Sequence, residues 1–270
     1  MTRKNNISGF VFAVLVIALL IGGARLTADA AGGYSWYCVH VKNHEQPSAG
    51  ELSFVEKYDA YYIDHRHSAA DDAEKVVYLT FDAGYGNESV AKILDVLQEE
   101  QVTGCFFILD GLIRHEPELV RRMAAEGHTV GNHTMHHKDM SCAGDETLLA
   151  ELHGLEEAYK ALTGCEMSHY YRPPEGRFSE KNLACAQKNG YKTVFWSFAY
   201  ADWDNNKQPS PESAKQMILG NTHNGEVMLL HPTSATNAAI LGDVIREMRA
   251  QGYRFGTMDE LTGGATEAAE

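Results

Sequence analysis

From Lys75 onward the chain alternates between short apolar runs and longer amphipathic segments. Seven runs read as strands: Val76–Phe81, Gly104–Leu109, Thr129–Asn132, Tyr170–Arg172, Thr193–Trp196, Val227–His231 and Arg254–Thr257. Between them, six stretches carry helical periodicity: Glu88–Glu100, Pro117–Glu126, Glu146–Thr163, Glu180–Asn189, Ser210–Leu219 and Asn237–Gln251. Gly127, Gly190 and Gly252 each stand just past a helix and just before a strand. Glycine there takes the left-handed conformation that ends a helix at little steric cost. Strands and helices alternating at this spacing predict βα units, hence an α/β fold with a parallel sheet or barrel.

The ends of the chain break this pattern. Arg3 and Lys4 precede an apolar run from Phe10 to Ile21, and Ala28-Asp29-Ala30 offers a small-x-small cleavage pattern. Residues 1–30 therefore read as an export signal or an uncleaved membrane anchor. Residues 31–74, rich in Tyr and His, show no clear period and read as an N-terminal arm. Residues 75–262 form the main domain, and 263–270 a loose acidic tail.

Charge narrows the partners. Lys and Arg number 23 against 37 Asp and Glu, a net charge of −14. Phosphate backbones are repelled by such a surface, which argues against nucleic acid. The five cysteines are scattered without a CxxC pair, so neither a disulfide framework nor a cysteine zinc site is expected. Cys105, in the run Cys105-Phe106-Phe107, reads as a small core residue.

In βα architectures reactive groups gather where strands end. Asp82, His133, Arg172, Asp202 and His231 all stand at or just past strand exits. His133 and His137 are four apart, so one helical turn would bring both imidazoles to one side, as a zinc-type ion requires; surface histidines capping a loop are the plainer reading. His136 then points elsewhere. Asp82, followed by Gly84, suits a general base beside a metal-bound water or, more plainly, the start of a turn. Arg172 offers a planar fork that fits a carboxylate. The N–H of Glu175, after Pro173 and Pro174, is a candidate oxyanion donor. His231, preceded by leucines at a strand end, is either a buried structural histidine or, paired with Asp202, a candidate general acid. Trp203 suits either the core or the wall of a sugar site.

Taken together, Thr80-Phe81-Asp82-x-Gly84, His133-Thr134-x-x-His137, Arg172-Pro173-Pro174, Asp202-Trp203 and Leu229-x-His231 resemble the polysaccharide deacetylases with a NodB-homology domain, carbohydrate esterase family 4. Tyr34-Ser35-Trp36-Tyr37 and Phe195–Trp203 resemble its delta-lactam-biosynthesis, sporulation subgroup, which de-N-acetylates N-acetylmuramic acid of spore-cortex peptidoglycan. The resemblance implies a distorted (β/α)7 barrel and a divalent metal, zinc by preference. It implies Asp82 as base, His133 and His137 as metal ligands, and Arg172 as tether of the base. Asp202 then tunes the acid His231, while Trp203 and Leu229 line the groove around the acetyl methyl. Peptidoglycan glycan strands are the implied partner, with a membrane touched only through the N-terminal anchor. Deacetylation of another acetylated glycan, or a glycan-binding pseudoenzyme, are the alternatives.

Two positions depart from the family. Ala83 stands where most relatives carry an Asp that is the third metal ligand, and Glu175 stands where many carry Tyr. A carboxylate restored at position 83 is expected to complete the ligand set.

Overall fold

A computed structural model describes residues 33–68 and 74–263. The expected leader or anchor and the acidic tail from residue 264 lie outside the described residues. Ten strands follow in chain order: β1 Tyr34–Ser35, β2 Ala60–Tyr61, β3 Lys75–Ala83, β4 Cys105–Ile108, β5 Thr129–Asn132, β6 Tyr170–Tyr171, β7 Arg177–Phe178, β8 Lys192–Val194, β9 Glu226–Leu230 and β10 Tyr253–Phe255. The helices are α1 Glu88–Glu99, α2 Asp110–His115, α3 Pro117–Ala125, α4 Asp145–Thr163, α5 Glu180–Lys188, α6 Pro211–Asn221, α7 Ala235–Ala250 and α8 Met258–Leu261.

The seven strands expected from the sequence are β3, β4, β5, β6, β8, β9 and β10, and all of their pairings are parallel. The order runs β10-β3-β4-β5-β6-β8-β2, with β9 along β3. The sheet curls until Phe198, just past β8, bridges Met228 of β9. This is the distorted α/β barrel of the expectation.

Period-two alternation along β3 separates two layers. Val77, Leu79, Phe81 and Ala83 face outward into the apolar cluster shared with α1, α3 and α7. Val76 and Tyr78 face the barrel interior with Phe107, Tyr170, Val194 and Val227. Five of the eight described helices start on side-chain caps: Asn87, Ser179, Ser210, Ser234 and Thr257 each accept a backbone N–H of the first turn. Gly127, Gly190 and Gly252 take φ values of 80°, 82° and 89° after α3, α5 and α7.

Residues 33–68 are packed onto the barrel. β1 pairs antiparallel with β7, and β2 pairs parallel with β8. Trp36 stacks on Phe195 with ring centroids 4.5 Å apart, and its Nε1 donates to the Trp196 carbonyl at 2.9 Å. The segment thereby buttresses 195–199, one wall of the site described next.

Candidate active site

The ends of β3, β5, β6 and β9 open onto one cavity of about 790 Å³. Asp82, His133, His137, Glu175, Trp203, Leu229 and His231 line it. Arg172 and Asp202 lie fully buried behind the wall. Every site residue expected from the sequence is thus gathered at one place. Tyr85, Trp196, Tyr200 and Thr233 join the lining without having been singled out beforehand.

Arg172 is fully buried, a position that guanidinium tolerates only when its donors are met. Nη1 donates to Asp82 Oδ1 at 2.8 Å and Nη2 to Thr80 Oγ1 at 2.9 Å. Nε reaches the Val194 carbonyl at 2.9 Å, and Nη2 also the Phe195 carbonyl at 3.1 Å. Its Cζ lies over the Phe107 ring, 4.2 Å from the centroid. Gly131 makes room for that ring, since a Cβ there would meet Phe107 at 2.7 Å. Burial acts to raise the Asp82 carboxyl, but His133 (charged only in the acid range where a carboxyl titrates), Arg172 and His231 outweigh it and hold the group below the usual carboxylate range.

His133 donates Nδ1–H to the Arg172 carbonyl at 2.8 Å; a carbonyl only accepts, so the proton belongs on Nδ1. Its Nε2 lone pair then faces Asp82 Oδ2 at 3.5 Å. Burial pushes the ring down to about 4, so it is neutral at pH 7. Two acceptors facing one another in a buried spot call for a cation between or beside them. The His137 ring lies 5.0 Å from that of His133, centroid to centroid, at 69°.

The histidines do not meet on a helical turn, as their spacing suggested. Residues 133–137 form a loop in which Thr134 and His137 have φ values of 67° and 54°. Its amides are met by side chains rather than by helical carbonyls. Thr134 N–H donates to Asn132 Oδ1 at 2.9 Å, His137 N–H to Thr134 Oγ1 at 3.1 Å, and His136 N–H to Glu151 Oε2 at 2.9 Å. His136 Nδ1 also pairs with Glu151 Oε1, which fastens the loop to α4.

Ala83 is fully buried in the same outer apolar cluster as Phe81, Ile108 and Leu112, across β3 from Asp82. Among the described residues, no three His, Cys, Asp or Glu side chains converge as a ready-made metal site. The donor set fits a divalent ion held by the two imidazoles, with the Asp82 oxygen beside them and the remaining positions open to water.

Across the cavity, His231 Nδ1 pairs with Asp202 Oδ1 at 2.7 Å, and its backbone N–H donates to Asp202 Oδ2 at 2.7 Å. Burial acts to lower the His231 ring; the hydrogen bond and charge of Asp202 outweigh it and raise the ring above its ordinary 6.5. Glu175 sits at φ 55° on the Pro173–Gly176 turn, and its carboxylate pairs with Arg177 Nε at 3.0 Å. Trp203, 62% exposed, forms the rim.

Residues 69–194 match the polysaccharide deacetylase family model. The peptidoglycan-N-acetylmuramic acid deacetylase PdaA of Bacillus subtilis is 38% identical over 90% of this chain and 92% of its own. The solved structure of Bacillus subtilis PdaA, a family 4 carbohydrate esterase, superposes with a TM-score of 0.80, covering 86% of this chain and 98% of that one. A peptidoglycan-N-acetylglucosamine deacetylase of Bacillus cereus is 31% identical over 70% of this chain and 88% of its own. Family model, sequence identity, shared fold and the gathered motif residues agree: the chain belongs to the polysaccharide deacetylases, the family 4 carbohydrate esterases.

Proposed function

We propose that this cleft hydrolyses the N-acetyl group of N-acetylmuramic acid in peptidoglycan, leaving a free amine that can close onto the lactyl carboxylate as the muramic delta-lactam of spore cortex. One observation carries the reading. A carboxylate whose ionised form Arg172 favours and an imidazole whose protonated form Asp202 favours line the same cavity as the His133 and His137 rings. Base, acid and cation donors are what amide hydrolysis asks of a site. The muramic choice is supported by the 38% identity to PdaA. N-acetylglucosamine is the second reading, supported by the Bacillus cereus relative.

In this reading Asp82 takes a proton from water as it adds to the acetyl carbonyl, while Arg172 fixes the carboxylate and keeps it anionic. The developing oxyanion lies near the Glu175 N–H; the Glu175 carboxylate is turned to Arg177, which offsets its charge. His231 gives its proton to the nitrogen as the C–N bond breaks and acetate departs. Leu229 and Trp203 wall the space for the acetyl methyl and the sugar. When bound by His133 and His137, a divalent ion such as zinc would polarise the carbonyl and acidify the water. Residues 75–262 are the catalytic unit in this account. The leader or anchor places it outside the membrane, at the cell wall or in the spore-cortex space.

Acetate release from purified peptidoglycan, with zinc or cobalt added, tests the reading. Release by the wild-type protein and its loss in His133→Ala is the expected result. No acetate with any divalent metal would favour a glycan-binding pseudoenzyme.

A further inference from the structure

Behind His231 lies a polar side chain that no catalytic motif contains. Asn237, in the first turn of α7, is 1% exposed. Its Nδ2 donates to Asp202 Oδ2 at 2.6 Å and to the His231 carbonyl at 3.2 Å. Its Oδ1 accepts the hydroxyl of Tyr200, whose ring lines the cavity. The helix does not need this amide as a cap, because Ser234 Oγ already accepts the Asn237 N–H at 3.0 Å. A buried amide on an otherwise apolar face requires a partner to offset its desolvation, and here the partner is the acid's own carboxylate.

Among the described residues, without Asn237 the side-chain oxygens of Asp202 would be held only by His231, the residue they are meant to orient. The amide fixes the carboxylate plane from outside that pair. Tyr200 in turn fixes the amide: its O–H donates to Oδ1, which leaves the N–H2 end toward Asp202. Gln208 adds a brace from the other side, with Nε2 donating to the Asp202 and Asp204 carbonyls at 2.8 Å each.

We propose that Asn237, oriented by Tyr200, is a positioning residue that sets the plane of the Asp202 carboxylate and thereby the direction of the His231 ring. The proposal rests on the reading of His231 as general acid. The charged groups acting on the ring are Asp202 from the segment after β8, Asp82 from β3 and Arg172 after β6; none comes from α7. Asn237 therefore acts on the ring only through Asp202 and the His231 carbonyl. By donating to Oδ2 it draws carboxylate charge away from the bond to Nδ1. Its loss concentrates that charge on the imidazolium and makes the ring a weaker acid.

The test is an NMR titration of the His231 ring beside the pH–rate profile of acetate release, in the full chain. Asn237→Leu is expected to raise proton affinity of the ring about three- to tenfold and to lower kcat about tenfold with KM little changed. Asn237→Asp restores a donor when its new carboxyl is protonated, so it should approach wild type at low pH and fail as pH rises. Tyr200→Phe removes one hydroxyl and should shift the ring the same way by less; it keeps the test open should Asn237→Leu not fold. An unchanged ring titration in both folded variants overturns the proposal. A shifted ring with unchanged acetate release upholds the positioning role and instead overturns His231 as the acid.

Discussion

His231 and His137 line the same cavity, but the protein holds them by opposite means. His231 follows directly on β9, is paired through side chain and backbone to Asp202, and is braced by Asn237, Tyr200 and Gln208. His137 sits in a loop with two non-glycine residues in left-handed backbone, fastened through Asn132, Thr134 and Glu151. Such backbone costs about 1–3 kcal/mol per residue and persists only where surroundings enforce it. The acid side is preorganised by carboxylate and amide, so it needs no ligand to hold its shape. The histidine side leaves acceptor facing acceptor across 3.5 Å, an arrangement that a cation would complete.

The largest effect expected is at the junction of the two sides. Asp82→Asn should lower turnover by about 10²–10⁴-fold, because an amide cannot take the water proton. Thermal melting must accompany the assay, since Arg172 also loses its buried counter-charge. Turnover within about threefold of wild type in folded protein would remove Asp82 from the chemistry.

Ala83→Asp probes whether the histidine side lacks a ligand or is built without one. Placing a carboxylate among Phe81, Ile108 and Leu112 should destabilise by about 3 kcal/mol, a fall in Tm of about 6–12 °C, with no gain in metal affinity. Tighter metal binding at unchanged Tm would show that position 83 can turn into the cavity.

Glu151→Gln weakens the fastening of the loop while leaving both ligand histidines in place. Metal affinity should fall about tenfold by calorimetric titration, as for other residues that orient ligands. Equal affinity would mean that Asn132 and Thr134 suffice to shape the loop.

The acid side makes a prediction of position rather than size. His231 carries its proton above the ordinary 6.5, so the basic limb of kcat/KM should lie above that pH. Asp82 stays ionised below the usual carboxylate range, so its limb lies further to the acid side. In Asp202→Asn the basic limb should move downward, since burial is then opposed by less.

The strands were legible because parallel strands buried on both faces read as plain apolar runs punctuated by glycine. The strand-exit residues were legible for the same reason. The His133–His137 loop was not: a spacing of four fits a helix, and nothing in the spacing announces left-handed backbone at Thr134 and His137. Residues 33–68 lacked a period because their order comes from single aromatic contacts and two-residue pairings, such as Trp36 on Phe195. Asn237 left no motif at all; its only trace is a polar residue on the buried side of α7.

The most direct test of the whole account is mass spectrometry of muropeptides from peptidoglycan treated with the metal-loaded protein. The account predicts muramic acid residues lighter by one acetyl group, present with wild type and absent with Asp82→Asn. Acetyl loss confined to glucosamine would contradict the substrate assignment, and no acetyl loss from either sugar would contradict the assignment of this cleft as a peptidoglycan deacetylase.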